Sequence, residues 1–234
     1  MPHARQAFLL LTAALFLLAC GDPLADTRDV ATTLPWRGTI LETTRYIVTD
    51  QGGKQVAVGT LTIEEGGATS TFSQHYENAE GTDDIKVIAD SVTLRPQKTI
   101  RTIRTKTLTR DVSADYGADK VHIVITGDPA EDEEIEFPPH AYDIEQSLFI
   151  WRTLAFAVGY ETQYVVINSN RPTGRVGTVR VVAIEAVTIP GGTFECWRVE
   201  ATATNDKVIA WYEKDGAHRL VRYETGQFVF ELLP

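Results

Sequence analysis

From about Trp36 onward, short runs rich in Thr, Val, Ile and aromatic residues alternate with turns bearing Gly, Pro, Asn or Asp. Each such run carries unpaired backbone donors and acceptors, so runs this short and this closely spaced pair with their sequence neighbours. Parallel pairing needs a crossover of a dozen or more residues, and most of these connections are shorter, so the runs read as antiparallel hairpins. The segments are Trp36–Val48, Lys54–Glu64, Thr69–Tyr76, Ile85–Leu94, Thr99–Thr109, Lys120–Thr126, Gln163–Ile167, Thr178–Ile189, Phe194–Ala203, Val208–Tyr212, Arg219–Tyr223 and Phe228–Leu232. In the second run Val56 and Val58 are apolar at even positions but Leu61 and Ile63 at odd ones, a parity switch that predicts a bulge at Gly59. The expected architecture is mainly β: a single domain over 35–234, built as one strongly curved antiparallel sheet of about ten to twelve strands, half-barrel or barrel-like.

One segment departs from this period. After Pro138-Pro139, Asp143-Ile-Glu-Gln146 has the spacing of a capping box, with Asp143 as N-cap and Gln146 at the third helical position. Ile144, Leu148, Trp151, Leu154 and Ala155 follow at helical spacing, and Phe149, Ile150 and Phe156 widen the apolar arc. A helix this apolar must be covered, and the concave face of a curved sheet would cover it. If it flanks an apolar cavity, Leu148, Phe149, Trp151 and Phe156 are the candidate lining residues; plain core packing would use the same side chains.

Ahead of the domain, Arg5 precedes an uncharged apolar run from Phe8 to Ala19. Twelve helical residues span about 18 Å, short of the ~30 Å hydrocarbon core, so the run reads as a secretory signal over 1–19. Its end, Leu17-Leu18-Ala19-Cys20, resembles the lipobox of bacterial lipoprotein precursors. That resemblance implies lipidation at Cys20 and a membrane partner through the lipid anchor. Gly21 rather than Asp after the cysteine implies the outer membrane, facing the periplasm. The polar stretch 20–34, which contains Pro23, reads as a flexible tether.

Composition narrows the chemistry. The chain carries a net charge of −10, unsuited to neutralising phosphates, so nucleic acid is not an expected partner. The two cysteines are Cys20 and Cys196, and lipidation of the first would leave Cys196, in a strand-like run, as a small core filler. Histidines are scattered, with no H-E-x-x-H, and neither a G-x-S-x-G nor a phosphate-binding loop occurs. No cofactor or metal is expected. Glu131-Asp-Glu-Glu134 lacks the spacing of a calcium loop and reads as a solvated acidic loop. Lys98, Arg101, Arg104, Lys106 and Arg110 concentrate positive charge, and all but Arg101 share even parity. That face would either meet anionic partners or pair with acidic neighbours.

The segments Asp143–Tyr160, Val187–Glu200 and Trp211-Tyr212 with Leu220–Glu224, and more loosely Asp90–Pro96, resemble the TapB-like family of exported bacterial domains of unknown function. The resemblance implies a strongly curved antiparallel sheet, similar in outline to barrel-like carriers that move lipoproteins, and it carries no catalytic residues. Pro190-Gly-Gly-Thr193 reads as a hairpin turn, and Trp211 with Tyr223 as cross-strand packing. The function expected is that of a non-enzymatic, lipid-anchored envelope protein that binds an apolar or lipid ligand, or serves as an assembly surface for an envelope-protein partner. The alternative is an envelope hydrolase with an unrecognised site.

Overall fold

A computed structural model describes residues 41–138, 140–203 and 206–234; the signal segment, Cys20, the tether and Trp36 lie outside them. The first half is a meander of β1 (Leu41–Asp50), β2 (Gln55–Gly66), β3 (Thr69–Asn78), β4 (Gly81–Asp90), β5 (Pro96–Thr105), β6 (Thr109–Tyr116), β7 (Lys120–Thr126) and β8 (Glu131–Glu136). A two-residue strand β9 (Tyr142–Asp143) leads into a helical segment. The second half is β10 (Glu161–Asn168), β11 (Thr173–Ile189), β12 (Gly192–Ala203), β13 (Asp206–Glu213), β14 (Leu220–Glu224) and β15 (Phe228–Leu232). The fifteen strands among the described residues form one sheet, in which β15 pairs with β1 and so joins the two meanders. Pairing is antiparallel throughout except between β9 and β10.

Alternation dictates the inner face. In β7, Val121, Ile123 and Ile125 are buried while Lys120 and His122 are exposed, the period of a half-buried strand. β10 differs, because Tyr164, Val165, Val166 and Ile167 are all buried. Val165 and Ile167 pack against Val112, Ile123 and Ile125 of β6 and β7, while Tyr164 and Val166 join the main core. The sheet therefore rolls past closure, with β6 and β7 lying over β10 instead of hydrogen bonding to it.

The seam between these overlapping ends is held by one carboxylate. Asp143, fully buried, accepts hydrogen bonds from Thr99 Oγ1 at 2.8 Å, Tyr116 Oη at 2.5 Å and the Glu145 amide at 2.8 Å. Curvature comes from register shifts that leave Val56, Gln97, Val182 and Val221 as extra residues. The bulge in β2 thus sits at Val56 and not at Gly59. Gly59 pairs regularly with Tyr46 and Tyr76, and a Cβ there would lie 2.9 Å from the Tyr76 ring, so the parity change reflects room for an aromatic side chain.

Three expectations need correction. Glu131–Glu136 is an edge strand, four of its five carboxylates exposed and two of them paired, Glu134 with Lys120 and Asp132 with His122, both at 2.7 Å. Charged edges of this kind resist pairing with another chain. The helix is one α-turn, α1 (Ser147–Ile150), between two 3-10 turns over Ile144–Gln146 and Trp151–Thr153. Asp143 caps it as expected, but Gln146 donates to the Leu94 carbonyl at 2.8 Å instead of closing a capping box. Trp211 and Tyr223 point to opposite faces, because Trp211 pairs with Arg222 and Tyr223 with Ala210. Trp211 lies beneath the Arg198 and Arg222 guanidinium groups, while Tyr223 meets Phe230 with ring centroids 5.3 Å apart.

The helical segment lies within the roll. Phe149 stacks on Phe72 at 5.0 Å, Tyr212 Oη donates to the Leu148 carbonyl at 2.9 Å, and Trp151 Nε1 donates to Tyr164 Oη at 2.8 Å. Arg152, 4% exposed, pairs with Glu42 at 2.7 Å. These contacts reach strands from both meanders, so one short segment ties the two halves together.

Candidate functional site

Antiparallel order places the β1–β2, β3–β4, β5–β6, β10–β11, β12–β13 and β14–β15 turns at one end of the roll. That end opens into a cavity of about 840 Å³. Asn78, Gly81, Thr105, Asn168, Ala203 and Phe228 lie at its rim. Its floor is the upper face of the helical segment, where Ile144, Ser147, Leu148 and Trp151 recur at helical spacing. One wall, from β12 to β15 and β1, is apolar: Ala201, Val208, Tyr223, Phe228, Phe230 and Val48.

The opposite wall holds charge. Arg101 on β5 points inward, its Nε and Nη2 donating to the two oxygens of Asp83 on β4 at 2.9 and 2.6 Å, and its Nη1 to Glu145 Oε1 at 2.7 Å. The three side chains are 19%, 25% and 14% exposed, in that order. Gln74 on β3 donates to the Glu145 carbonyl and accepts from Tyr76 Oη at 2.6 Å. Burial is the main reason that the Glu145 carboxyl is pushed up to about 7; Arg101 pulls it down, and Asp143 and Asp83 push it further up. Burial also raises the Asp143 carboxyl, against its hydrogen bonds.

A carboxyl raised on folding binds a proton more readily in the native state, so it makes stability fall as pH rises from its ordinary 4.5 to about 7. The Glu145→Gln chain lacks this dependence. Relative to the parent it is expected to gain about 2–3 kcal/mol between pH 4.5 and pH 7, levelling off about one unit above. Urea midpoints across that range check it; parallel curves for the two chains would contradict it.

Of the four apolar residues singled out in the sequence, Leu148 and Trp151 line the cavity. Phe149 turns into the core on Phe72. Phe156 lies beyond the helical segment, which ends where Leu154 adopts an extended ψ of 151°, and it stacks on Trp197 at 5.6 Å. Cys20 is outside the described residues. Cys196 is buried, and burial pushes its thiol up to about 12, as suits a core residue. The even-parity cations are paired outside the cavity: Lys98 with Asp115 at 2.7 Å, Arg104 with Asp111 at 2.6 Å and Lys106 with Glu80 at 3.2 Å. Arg110 donates to the Asn170 carbonyl at 3.0 Å. Arg101, the odd one of the five, is the residue that reaches the site. Its parity distinguished it in the sequence, but its partners Asp83 and Glu145 did not stand out there.

A family model described as a protein of unknown function, DUF3108, matches residues 45–230, from the first strand to the last. The chain belongs to DUF3108. The DUF3108 match takes in the first half, where the TapB-like resemblance was loose, and its description carries no TapB name. No curated protein matches the DUF3108 chain. Among solved structures it is similar to a β-barrel-like protein of domain of unknown function DUF1849 from Brucella abortus, with a TM-score of 0.50 at 10% identity, covering 83% of this chain and 96% of that one. At that identity the likeness is one of fold. A protein described as exported, with a YmcC-like fold, from Bacteroides fragilis aligns at 12% identity over 81% of this chain and 92% of that one. Its TM-score of 0.29 is too low for any inference. Among the described residues no group of His, Cys, Asp and Glu is placed to hold a metal, and no helix is long and apolar enough to cross a membrane.

Proposed function

We propose that this DUF3108 protein is a lipid-anchored binding protein of the bacterial envelope, and that its roll holds an apolar or amphipathic ligand. The observation that carries the reading is the cavity. At about 840 Å³ it falls within the range of small-molecule sites, and its apolar wall and floor face a few convergent polar groups. A packed core would bring the Leu148 and Trp151 face of the helical segment against Phe230 and Tyr223, whereas here all four side chains border open space. Envelope location and anchoring rest on the signal-like segment and on the Leu17–Cys20 resemblance. The binding reading is favoured over the hydrolytic one because Asp83 and Glu145, the carboxylates that converge in the cavity, are both tied to the Arg101 guanidinium.

Two measurements test the ligand. Native mass spectrometry of gently purified protein is expected to show a co-purifying small molecule. Val208, half-buried on the apolar wall, offers a site for filling the space. Val208→Trp is expected to weaken uptake of the linear dye diphenylhexatriene about tenfold with little change in thermal midpoint. Equal uptake by parent and variant would place the dye elsewhere and remove support for the cavity as the binding site.

A further inference from the structure

We propose that the charged wall of the cavity recognises an ammonium headgroup, so that the ligand class is a cationic amphiphile with its amine at Glu145 and its alkyl chain along Phe230, Tyr223 and Val208. The inference rests on the binding role proposed above and adds the chemistry of the headgroup.

The polar atoms still free to bond decide between headgroups. Arg101 is the deep cation of the cavity, and Nε, Nη1 and Nη2 already donate to Asp83 and Glu145 at 2.6 to 2.9 Å. Asp83 and Glu145 already take three of its five N–H donors, and a carboxylate or phosphate headgroup using the remaining two would sit against both carboxylates on a wall of net negative charge. The acceptor side is different. Arg101 binds only Oε1 of Glu145; Oε2 takes no hydrogen bond among the described residues and is not sealed within the protein. With Asp83 and Glu145 ionised, this wall carries one net negative charge. Asp143, on the same segment as Glu145, adds to the negative potential there. The other basic residue of the lining, Arg171, is exposed on the β10–β11 turn at the rim. An amine entering tail-along-wall would therefore meet an open carboxylate oxygen in a partly desolvated setting, where a charge-assisted hydrogen bond is strongest.

The charge state of Glu145 then sets the pH dependence. The ionisable groups facing it are Arg101 on β5, Asp83 on β4, Asp143 on its own segment, and the Tyr76, Tyr116 and Tyr223 phenols on β3, β6 and β14. Burial raises all three phenols, which stay neutral through the physiological range. Protonation of Glu145 at pH 5 removes the charge that an ammonium would pair with.

Isothermal titration of the full chain with octylamine, octanol and octanoate separates headgroup from tail. At pH 8 octylamine is expected to bind about tenfold more tightly than octanol, and octanoate more weakly than octanol. The amine preference is expected to narrow to within about threefold at pH 5, where octylamine itself stays charged. Glu145→Gln should remove about tenfold from octylamine at pH 8 and leave octanol unchanged. The pH series on the parent chain carries the test if that variant does not fold. Octanol binding with octanoate equal to or tighter than octylamine would overturn the headgroup inference and leave the cavity role standing. An amine affinity indifferent to both pH and Glu145→Gln would overturn it likewise. Failure of all three compounds to bind would overturn the cavity role itself, and the headgroup inference with it.

Discussion

Replacing Arg101 with methionine is expected to destabilise the fold by about 3–5 kcal/mol at pH 8. The methionine fills much of the space but leaves Asp83 and Glu145 facing each other with no cation, each no more than a quarter exposed. At least one of them must then take up a proton or be left unpaired. The loss is therefore expected to be smaller at pH 5 than at pH 8, whereas removal of a solvated ion pair would cost little at either pH. Adding Asp83→Asn and Glu145→Gln to the methionine variant should recover most of the loss, because a neutral wall carries no unpaired charge. Urea denaturation of the single and triple variants at both pH values checks this. A triple variant as unstable as the single one would mean that Arg101 acts through packing alone.

The second large effect lies at the seam. Asp143→Ala is expected to cost about 3 kcal/mol, because it strands the Thr99 hydroxyl, the Tyr116 phenol and the Glu145 amide around a fully buried position. Asp143→Asn keeps an acceptor oxygen and should lose only about 1–2 kcal/mol. The damage should be local as well as global. Hydrogen exchange in β10, the strand held beneath β6 and β7, is expected to quicken in Asp143→Ala before exchange in β2 or β3 does. Uniform loss of protection across the sheet would contradict a role for Asp143 in holding the overlap closed.

What could be read from the chain divides along physical lines. β7 and β15 were legible residue for residue because β-branched and aromatic residues fill them and their flanks carry turn residues. β6 escaped notice because Thr109-Arg-Asp-Val-Ser-Ala-Asp-Tyr116 buries only Val112 and Ala114, too sparse a pattern to stand out beside β5. β8 escaped because an edge strand carrying five carboxylates has the composition of a loop, its pairing being dictated by the backbone of β7. β9 contributes two residues to the sheet, below any periodicity. In the site, the apolar arc from Ile144 to Phe156 was visible, but which part of it faces space and which faces Phe72 depends on sheet curvature. Arg101 and Asp83 sit on adjacent strands in a register that follows from the bulge at Gln97. Their meeting with Glu145, 44 positions along the chain from Arg101, is a fact of the roll alone.

The pairing of β1 with β15 also governs how the molecule comes to exist. Among the described strands β1 comes first in the chain and lies at the middle of the sheet, yet one of its two neighbours, β15, comes last. Until Phe228–Leu232 has emerged, β1 keeps a bare edge, and Tyr46 lacks the Leu220 carbonyl to which its hydroxyl donates at 2.8 Å. Contacts of such sequence separation form slowly and late. The β1–β8 meander can pair strand by strand, but the roll cannot lock until Phe228–Leu232 is in place. Closure of the roll is therefore held back by topology, and until β15 arrives the sheet stays open along its middle.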